Sequence, residues 1–199
     1  MSSFIGHDLA AVGIYNVVES PLPKRIRSIW LIWLMILASI PDIDYIITSL
    51  RINVPEPIRV THSIVGSTAL PILTILLLVL LGYRGSALQV CSLQAIAAGL
   101  SHIGLDTLVG VTPLALLWPF SLQTFKLPFG ILPDAARIDL ANSLLYFNTL
   151  LEIGVIAPIT IIIYRLRKRY TTTGAQKLLI VGLTVISLCC MAWASTLSR

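Results

Sequence analysis

Charged residues are scarce in this sequence. Asp, Glu, Lys and Arg together make up 12% of its 199 residues, whereas soluble domains carry about 25%. Apolar residues make up 56%, and the mean hydropathy is +0.90. No soluble fold of this size has enough interior to bury so many apolar side chains. The composition therefore excludes a soluble domain and a disordered chain, and it predicts an integral membrane protein.

Cysteine is also rare. The three cysteines, Cys91, Cys189 and Cys190, lie inside apolar stretches and form no CxxC pair. We therefore expect buried thiols rather than a disulfide scaffold or a thiolate metal site. Residues 1–20 contain no Lys or Arg and so do not resemble a cleavable signal peptide. We expect the chain to insert through its internal spans.

Long stretches without charge define the candidate membrane spans. A helix needs about 20 residues to cross the hydrocarbon core of a bilayer. We therefore predict transmembrane helices near 28–49, 62–83, 86–109, 141–164 and 177–197. Residues 4–19 are a weaker sixth candidate. The pattern predicts an all-α, polytopic membrane bundle of five to six helices, which forms a single domain over residues 1–199.

The segment 110–140 interrupts this pattern. It contains four prolines together with Trp118, Phe120, Phe125 and Phe129. Prolines at this density break a long helix, and aromatic side chains are enriched where a membrane protein meets the bilayer surface. We predict that this segment is interfacial or re-entrant.

The distribution of Lys and Arg predicts the orientation of the chain. When the chain is threaded alternately through the bilayer, nine of the 14 Lys and Arg residues fall on one side and five on the other. The side with nine, which includes the basic run at 165–169, is cytoplasmic by the positive-inside rule. That run can also bind anionic lipid or a partner. The net charge of +5 is then a topology signal rather than a nucleic-acid surface.

Six ionisable side chains lie in or at the ends of the apolar spans. They are the three histidines of the chain and three of its nine acidic residues: His7, His62, His102, Asp42, Asp44 and Asp106. Ionisable groups inside a membrane are costly unless they are paired, ligated or hydrated. Each of the six is therefore a candidate functional residue.

Two short motifs carry four of these residues. His102 and Asp106 are four residues apart, so they share one face of a helix. They can bind one metal, or they can form a hydrogen-bonded pair that packs two helices. Asp42 and Asp44 would point to different sides of a regular helix, but Pro41 disrupts that turn and can aim both inward. In the simpler alternative an aspartate caps a new helix after Pro41, which explains only one of the two carboxylates.

The predicted topology brings these residues to one depth. The loop 51–60 is short, so Asp42 and Asp44 should lie near His62, and the helix that carries His102 and Asp106 ends on the same outer side. If residues 4–19 cross the membrane, His7 begins at that depth as well.

Imidazole and carboxylate ligands without thiolate favour a divalent metal, zinc first, with manganese or iron as alternatives. Such a metal lowers the pKa of bound water and supplies hydroxide, which suits hydrolysis of a phosphoester or another ester on a lipid head group.

Several other polar residues are secondary candidates. Glu152 can complete the metal shell or act as a general acid or base, and it can equally join helices together with Asn148. Asp44 is the other candidate for a catalytic carboxylate. Three cations can steer an anionic head group or are ordinary flanking charges: Arg59, Lys126 and Arg137.

Over residues 5–130 the chain resembles a family of bacterial, inner-membrane-associated, predicted metal-dependent hydrolases, also described as LexA-binding. The motifs that carry the resemblance are, in order, His7, Pro41-Asp42-Ile43-Asp44, Thr61-His62-Ser63, Ser101-His102 with Asp106, Gly110-Val111 and Leu116-Leu117-Trp118-Pro119-Phe120-Ser121. More distantly, the order is similar to zinc-dependent phospholipase C and P1-type nucleases. The resemblance implies a first metal shell and, through His7, a second metal. The implied first shell is Asp42 or Asp44, His62, His102 and Asp106.

The chain departs from the family pattern in two places. Tyr45 stands where the family often has a histidine, and Pro57-Ile58-Arg59 replaces a His-Arg-Gly triplet. Three histidines are too few for the trinuclear site of the soluble phospholipases. A site with one or two metals and a protein that has lost catalysis both stay open.

Three functions follow from these expectations. The first is a metal-dependent hydrolase in the bacterial cytoplasmic (inner) membrane, which acts at the outer leaflet with membrane lipid as its partner. The second is a transporter or ion-conducting protein, because broken helices and intramembrane carboxylates also fit a cation route. Against it, the ionisable cluster lies at one depth rather than across the membrane. The third is a non-catalytic scaffold that binds metal for stability.

Overall fold

The computed structural model describes residues 2–45, 47, 50–52, 58–134, 143–168 and 173–197. Its regular structure is predominantly helical. The helices are α1 (Phe4–Val17), α2 (Lys24–Ser39), α3 (Ile64–Leu80), α4 (Gly85–Val109), α5 (Ser143–Arg167) and α6 (Gly174–Thr196). One short antiparallel pair of strands, β1 (Arg51–Ile52) and β2 (Ile58–Arg59), lies between α2 and α3.

Four helical stretches are long and apolar enough to cross a membrane. They are Lys24–Asp44, which begins with α2, and the helices α4, α5 and α6. The apolar helix α3 is shorter, with 17 residues. Helix α1 has 14 residues, which corresponds to about 21 Å at 1.5 Å per residue. The predicted all-α membrane bundle is confirmed. The predicted helices are found with ends that differ by a few residues, except that the α-helix predicted over 28–49 ends at Ser39.

Helix α1 lies inside the bundle rather than at its edge. It packs against α2, α4 and α5, while α4 also packs against α2 and α3, and α6 packs against α5. Helices α3 and α4 approach so closely that a Cβ atom at Gly99 would overlap the backbone oxygen of Ser67. These contacts place one face of α1 and one face of α4 against each other in the core.

The predicted break at Pro41 is present. Helix α2 gives way to a 3-10 helix, Ile40–Tyr45, which carries Asp42 and Asp44. Proline removes a backbone donor and disfavours a continuous α-helix, and the tighter 3-10 turn is a common way to continue. A second 3-10 turn, Val60–His62, precedes α3 and packs against the first. The helix predicted over 28–49 therefore starts at Lys24 and changes its winding after Ser39.

The segment after α4 has little regular structure. Leu114 and Phe125 form an isolated bridge through two backbone hydrogen bonds of 2.9 and 2.8 Å. Phe120 is 87% exposed and Phe129 is 58% exposed. An irregular chain with outward-facing aromatic rings agrees with the interfacial segment predicted near 110–140, of which residues 135–140 lie outside the described residues.

Candidate metal centre

Four acidic and imidazole side chains meet in the core of the bundle. Asp42 comes from the 3-10 helix after α2, His62 from the turn before α3, and His102 and Asp106 from α4. One potential ligand atom from each lies within 4.8 Å of the others. None of the four residues is more than 4% exposed. Three separate segments therefore bring a set of atoms that could hold a divalent metal to one buried point.

A backbone carbonyl orients His102. The Nδ1 atom of its ring lies 2.8 Å from the carbonyl oxygen of Ala38 in α2. Because a carbonyl only accepts, Nδ1 carries the hydrogen, and in the neutral ring Nε2 presents a lone pair. That Nε2 lies 3.7 Å from Asp42 Oδ1 and 3.6 Å from Asp106 Oδ2. The imidazole is held in the tautomer that binds a metal through Nε2.

His62 faces three hydrogen-bond acceptors with a single nitrogen. Its Nε2 lies 3.1 Å from Nε2 of His102 and 3.3 Å from both Asp42 Oδ1 and Asp106 Oδ2. One nitrogen carries at most one hydrogen, so it cannot satisfy all three acceptors. Nδ1 of His62 lies 3.1 Å from the Thr61 hydroxyl, which can accept the hydrogen instead. In that tautomer four lone pairs face one point, and a cation bound there would balance them.

The charges around this point are unequal. Asp42, Asp44 and Asp106 supply three carboxylates, and Arg59 supplies one guanidinium that contacts the first two. With neutral imidazoles, these described side chains together carry two more negative than positive charges. Burial lowers the pKa of His62, but its contacts with Asp106 and Asp42 raise it by more, so the net pKa lies above its ordinary value. A proton on His62 and a bound cation are thus two ways of balancing the same carboxylates, and a divalent cation balances both charges.

His7 of α1 approaches the same two carboxylates from the other side. Its Nε2 lies 3.9 Å from Asp42 Oδ2 and 3.8 Å from Asp106 Oδ1. These are the oxygens that do not face His62 and His102. The ring of His7 also stacks on that of His102, with centroids 4.0 Å apart. Each carboxylate therefore presents one oxygen to His7 and the other to the pair His62 and His102.

Unpaired polar atoms mark this cluster. Both ring nitrogens of His7 are buried without a hydrogen-bond partner, as is Asp106 Oδ2 in spite of its 3.3 Å contact with His62. Buried polar groups in folded proteins nearly always have a partner. Within the part of the chain that the structure describes, the buried side-chain atoms without one all belong to this cluster. The residues present therefore fit a bound metal.

Asp44 is buried but lies outside the group of four. Its carboxylate accepts two hydrogen bonds from the guanidinium of Arg59, through Nε and Nη2. Its Oδ2 lies 4.0 Å from Nδ1 of His62, the nitrogen that faces away from the group. Arg59 Nη2 also lies 3.2 Å from Asp42 Oδ1. Of the two carboxylates predicted as alternatives, Asp42 faces the imidazoles, whereas Asp44 lies behind His62 and holds Arg59.

Sequence reasoning missed Ser2 and Ser3. Glu152 of α5 accepts hydrogen bonds from both hydroxyl groups and from the backbone N–H of Ser3, the last at 3.0 Å. The backbone N–H of Ser2 donates to Asp106 Oδ1 at 2.8 Å. Gly6 makes this approach feasible, because a Cβ there would overlap the Glu152 carboxylate. Ser2 therefore connects Glu152 to Asp106. The only sequence signal is that serine at position 3 is a favoured N-cap for α1.

The remaining candidates lie apart from the group. The Asn148 side chain donates to the backbone oxygen of Asp134 at 2.6 Å rather than to Glu152. Lys126 is exposed on the irregular segment after α4. Arg137, Pro57 and the side chain of Tyr45 lie outside the described part of the structure.

Comparison with known families identifies the chain. A model of the YdjM inner membrane protein family matches residues 1–196, so the chain belongs to this family. Together with the four membrane-length helices, the match shows a multi-pass protein of the bacterial inner membrane. No curated protein and no solved structure matches the chain. The inner-membrane family expected from the motifs is confirmed, whereas hydrolase activity and the likeness to phospholipase C and P1-type nucleases stay predictions.

Proposed function

We propose that this member of the YdjM family is a metal-dependent hydrolase that cleaves a phosphoester or ester of a lipid at the outer face of the inner membrane. The observation that carries the proposal is the convergence of Asp42, His62, His102 and Asp106 on one buried point. Their lone pairs outnumber the hydrogens available to pair them. A packing contact has no need for such a surplus, whereas a metal site requires it.

The donor set favours zinc. It offers two imidazole nitrogens and two carboxylate oxygens, and thiolate ligands are not among them. Zinc, manganese and iron all accept such ligands. Because the protein supplies no more than four ligand atoms, a metal that expands its coordination shell still has room for a water molecule. A divalent metal in such a site lowers the pKa of bound water and stabilises negative charge on the oxygen of an ester or phosphoester.

The chain itself orients these ligands. The Ala38 carbonyl fixes the tautomer of His102, and the backbone N–H of Ser2 holds Oδ1 of Asp106. Arg59 and Asp44 restrain the outer side of Asp42 and His62. Contacts of this kind behind the ligands increase their basicity and keep them in place. Because Arg59 is already engaged by two carboxylates, the exposed Lys126 is the better candidate to attract an anionic head group.

His7 supports a second metal position. It faces the two oxygens of Asp42 and Asp106 that the other histidines leave free, and neither of its nitrogens is paired among the described residues. His7, Asp42 and Asp106 would hold this second metal, and paired metals are common in phosphoester hydrolysis. The second position has fewer protein ligands than the first. We therefore expect it to bind more weakly.

One observation favours a non-catalytic alternative. The four ligands are almost completely buried, and a metal there would stabilise the bundle by joining α4 to the segments that precede α3 and follow α2. Such a scaffold needs no route for a substrate. Metal binding alone therefore does not distinguish the two functions, and turnover does.

Elemental analysis of the purified protein tests the metal. We expect near-stoichiometric zinc, or manganese or iron in its place, in the wild type and only traces in His102→Ala. The matched control is Gln94→Leu, which removes another buried polar side chain from the same helix. It should retain its metal. A wild-type protein that is purified without chelators and carries no divalent metal would contradict the proposal and favour transport or simple packing.

Turnover then separates the enzyme from the scaffold. The metal-loaded protein in detergent is incubated with a panel of phospholipids and lipid-linked phosphoesters, and the released products are measured. We expect hydrolysis that is lost on chelation and restored by adding the metal back. A protein that holds its metal but releases no product from any member of the panel would be a scaffold rather than a hydrolase.

A further inference from the structure

An apolar groove lies between α1, α4 and α5, close to the candidate metal centre. Its volume is about 250 Å³. An apolar cavity of about 150 Å³ is enough for a benzene ring, so this groove has room for a stretch of hydrocarbon chain. Ile131 and Leu132 from the irregular segment and Met191 from α6 complete its lining.

The groove opens to the outside of the bundle and closes in its interior. Val17 and Ile159 line it and are 59% and 39% exposed. Val155 and Leu132 line it as well and are 1% and 2% exposed. In an inner-membrane protein, the medium that meets an exposed apolar opening between helices is lipid hydrocarbon. A lipid chain can therefore enter from the side of Val17 and Ile159.

The chemistry of the lining excludes a polar ligand. Thr160 is the polar side chain among the described residues that line the groove. Its hydroxyl donates to the backbone oxygen of Leu9 at 3.2 Å, so it is already paired. Water and polar ligands need several partners in such a space, whereas hydrocarbon needs none. The lining suits an alkyl chain.

Two residues of the groove lining are sequence neighbours of residues in the metal centre. Ala10 is three residues after His7 on α1, and Leu105 directly precedes Asp106 on α4. From Ala10 the lining continues along α1 to Val17, which is about 10 Å at 1.5 Å per residue. A molecule with a polar group at the centre and a tail in the groove would lie along α1.

We infer that this groove binds one hydrocarbon chain of a membrane lipid and thereby selects lipids as the substrate class. The inference rests on the proposed function for the role of the head group, whereas the binding of the chain stands on the groove alone. The lipid would place its ester or phosphoester near His7 and Asp106, with the tail directed past Ile14 toward Val17.

Photo-crosslinking tests the inference. The full chain is reconstituted in vesicles of phosphatidylethanolamine and phosphatidylglycerol that contain a phosphatidylglycerol with a diazirine on one acyl chain. Labelled residues are mapped by mass spectrometry. We expect labelling to concentrate at Ile14 and Ile163, which line the groove along the path of the tail. Ile159→Trp and, independently, Val17→Trp should narrow the entrance, and a loss of contact with about two methylene groups corresponds to about tenfold weaker labelling. Both positions are exposed, which favours folding of the variants.

Two controls separate this inference from the metal. Leu80→Trp changes a residue that is 83% exposed on α3, away from the groove, and should leave the labelling pattern unchanged. His102→Ala should lose its metal and still be labelled in the groove. Labelling that follows exposure alone, with Leu80 and Leu178 marked as strongly as Ile14 and no effect of either entrance variant, would overturn the inference. If the groove is labelled but the wild type contains no metal, the lipid site stands and the proposed hydrolase does not.

Discussion

Helix α4 carries two buried polar clusters, and they differ in how well their hydrogen bonds are matched. In the first, Gln94 Oε1 accepts from the indole N–H of Trp30 at 2.8 Å. Its Nε2 lies 3.2 Å from the backbone oxygen of Val18 and 3.4 Å from that of Tyr15. Each donor has an acceptor, and the cluster carries no charge. Such a network joins α4 to α1 and α2 and has no need for a ligand.

The second cluster lies two turns further along α4. Around His102 and Asp106, four potential ligand atoms converge, and the imidazoles supply at most one hydrogen between them. Arg59 donates to one of the four, Asp42 Oδ1. The buried side-chain atoms of the described chain that have no partner belong to this cluster. Both clusters are equally buried, so burial alone does not separate structure from function. The ratio of hydrogen-bond acceptors to available hydrogens distinguishes the two clusters. A matched network indicates packing, whereas a surplus of acceptors indicates a site that could hold a cation.

Chelation should produce the largest difference between the two clusters. A metal at about 100 times its Kd stabilises the folded state by about 2.7 kcal/mol, and each kcal/mol shifts the Tm of a domain of this size by about 2–4 °C. We therefore expect a chelator to lower the Tm of the wild type by about 5–10 °C. The measurement is a thermal denaturation scan in detergent, with and without the chelator.

Two variants sharpen this test. Gln94→Leu leaves the Trp30 indole unpaired, which lowers stability by about 1–3 kcal/mol, but the chelator should shift its Tm as much as that of the wild type. Asp106→Asn should show no chelator shift. If chelation affected Asp106→Asn and the wild type equally, the cluster around His102 would not be the metal site.

A smaller effect on metal binding is expected at Asp44, a carboxylate that supports the ligands without being one of them. Asp42→Asn removes a charge that faces the imidazoles, and we expect metal binding to be lost. Asp44→Asn loosens Arg59 and His62 without removing a ligand. Residues of this kind typically contribute about tenfold to a hundredfold in metal affinity. Competition titration with a zinc indicator measures both variants, and equal losses would place Asp44 among the ligands.

Most of the fold could be predicted from the sequence. The charge-free stretches locate α3 to α6 to within a few residues, because the bilayer demands long apolar helices whatever their partners. The predicted helix 28–49 contains most of α2, which ends at Ser39. Pro41 predicts a disrupted turn, and the structure shows that this turn is a 3-10 helix. The central position of α1 does not follow from the sequence, since a helix of 14 residues with little charge fits the interior and the membrane surface equally well. The orientation in the membrane rests on the charge distribution and stays a prediction.

The candidate site was predictable in its members but not in its pairings. The short loops and the predicted membrane depth place the histidines and aspartates near one another. Isolated ionisable side chains are costly in hydrocarbon, so these residues are expected to pair or to bind a ligand. Which of Asp42 and Asp44 faces the imidazoles depends on the winding of one 3-10 turn. Arg59, a candidate for head-group steering, pairs with both of them. The contact of Ser2 with Asp106 uses a backbone N–H, and a backbone group leaves no trace in the sequence.

The smallest effect on metal binding is expected at Glu152, which tests how far the site extends beyond its ligands. Among the described hydrogen bonds, Glu152 is connected to Asp106 through Ser2. Replacing it by Gln weakens that anchor by about one hydrogen bond, which corresponds to about fivefold in metal affinity. We expect turnover to fall by a similar factor, because the anchor positions Asp106 rather than transferring a proton.

A general acid or base would respond differently. Loss of such a group typically lowers kcat by about a hundredfold or more while the metal is retained. Asn148→Ala on the same helix is the control, since its side chain bonds to the backbone of Asp134 and should leave both quantities unchanged. Measuring zinc affinity and kcat on Glu152→Gln therefore decides the role of this carboxylate. A loss of kcat alone would make it part of the chemistry, whereas a small parallel change would assign it, like the network around Gln94, to the support of the fold.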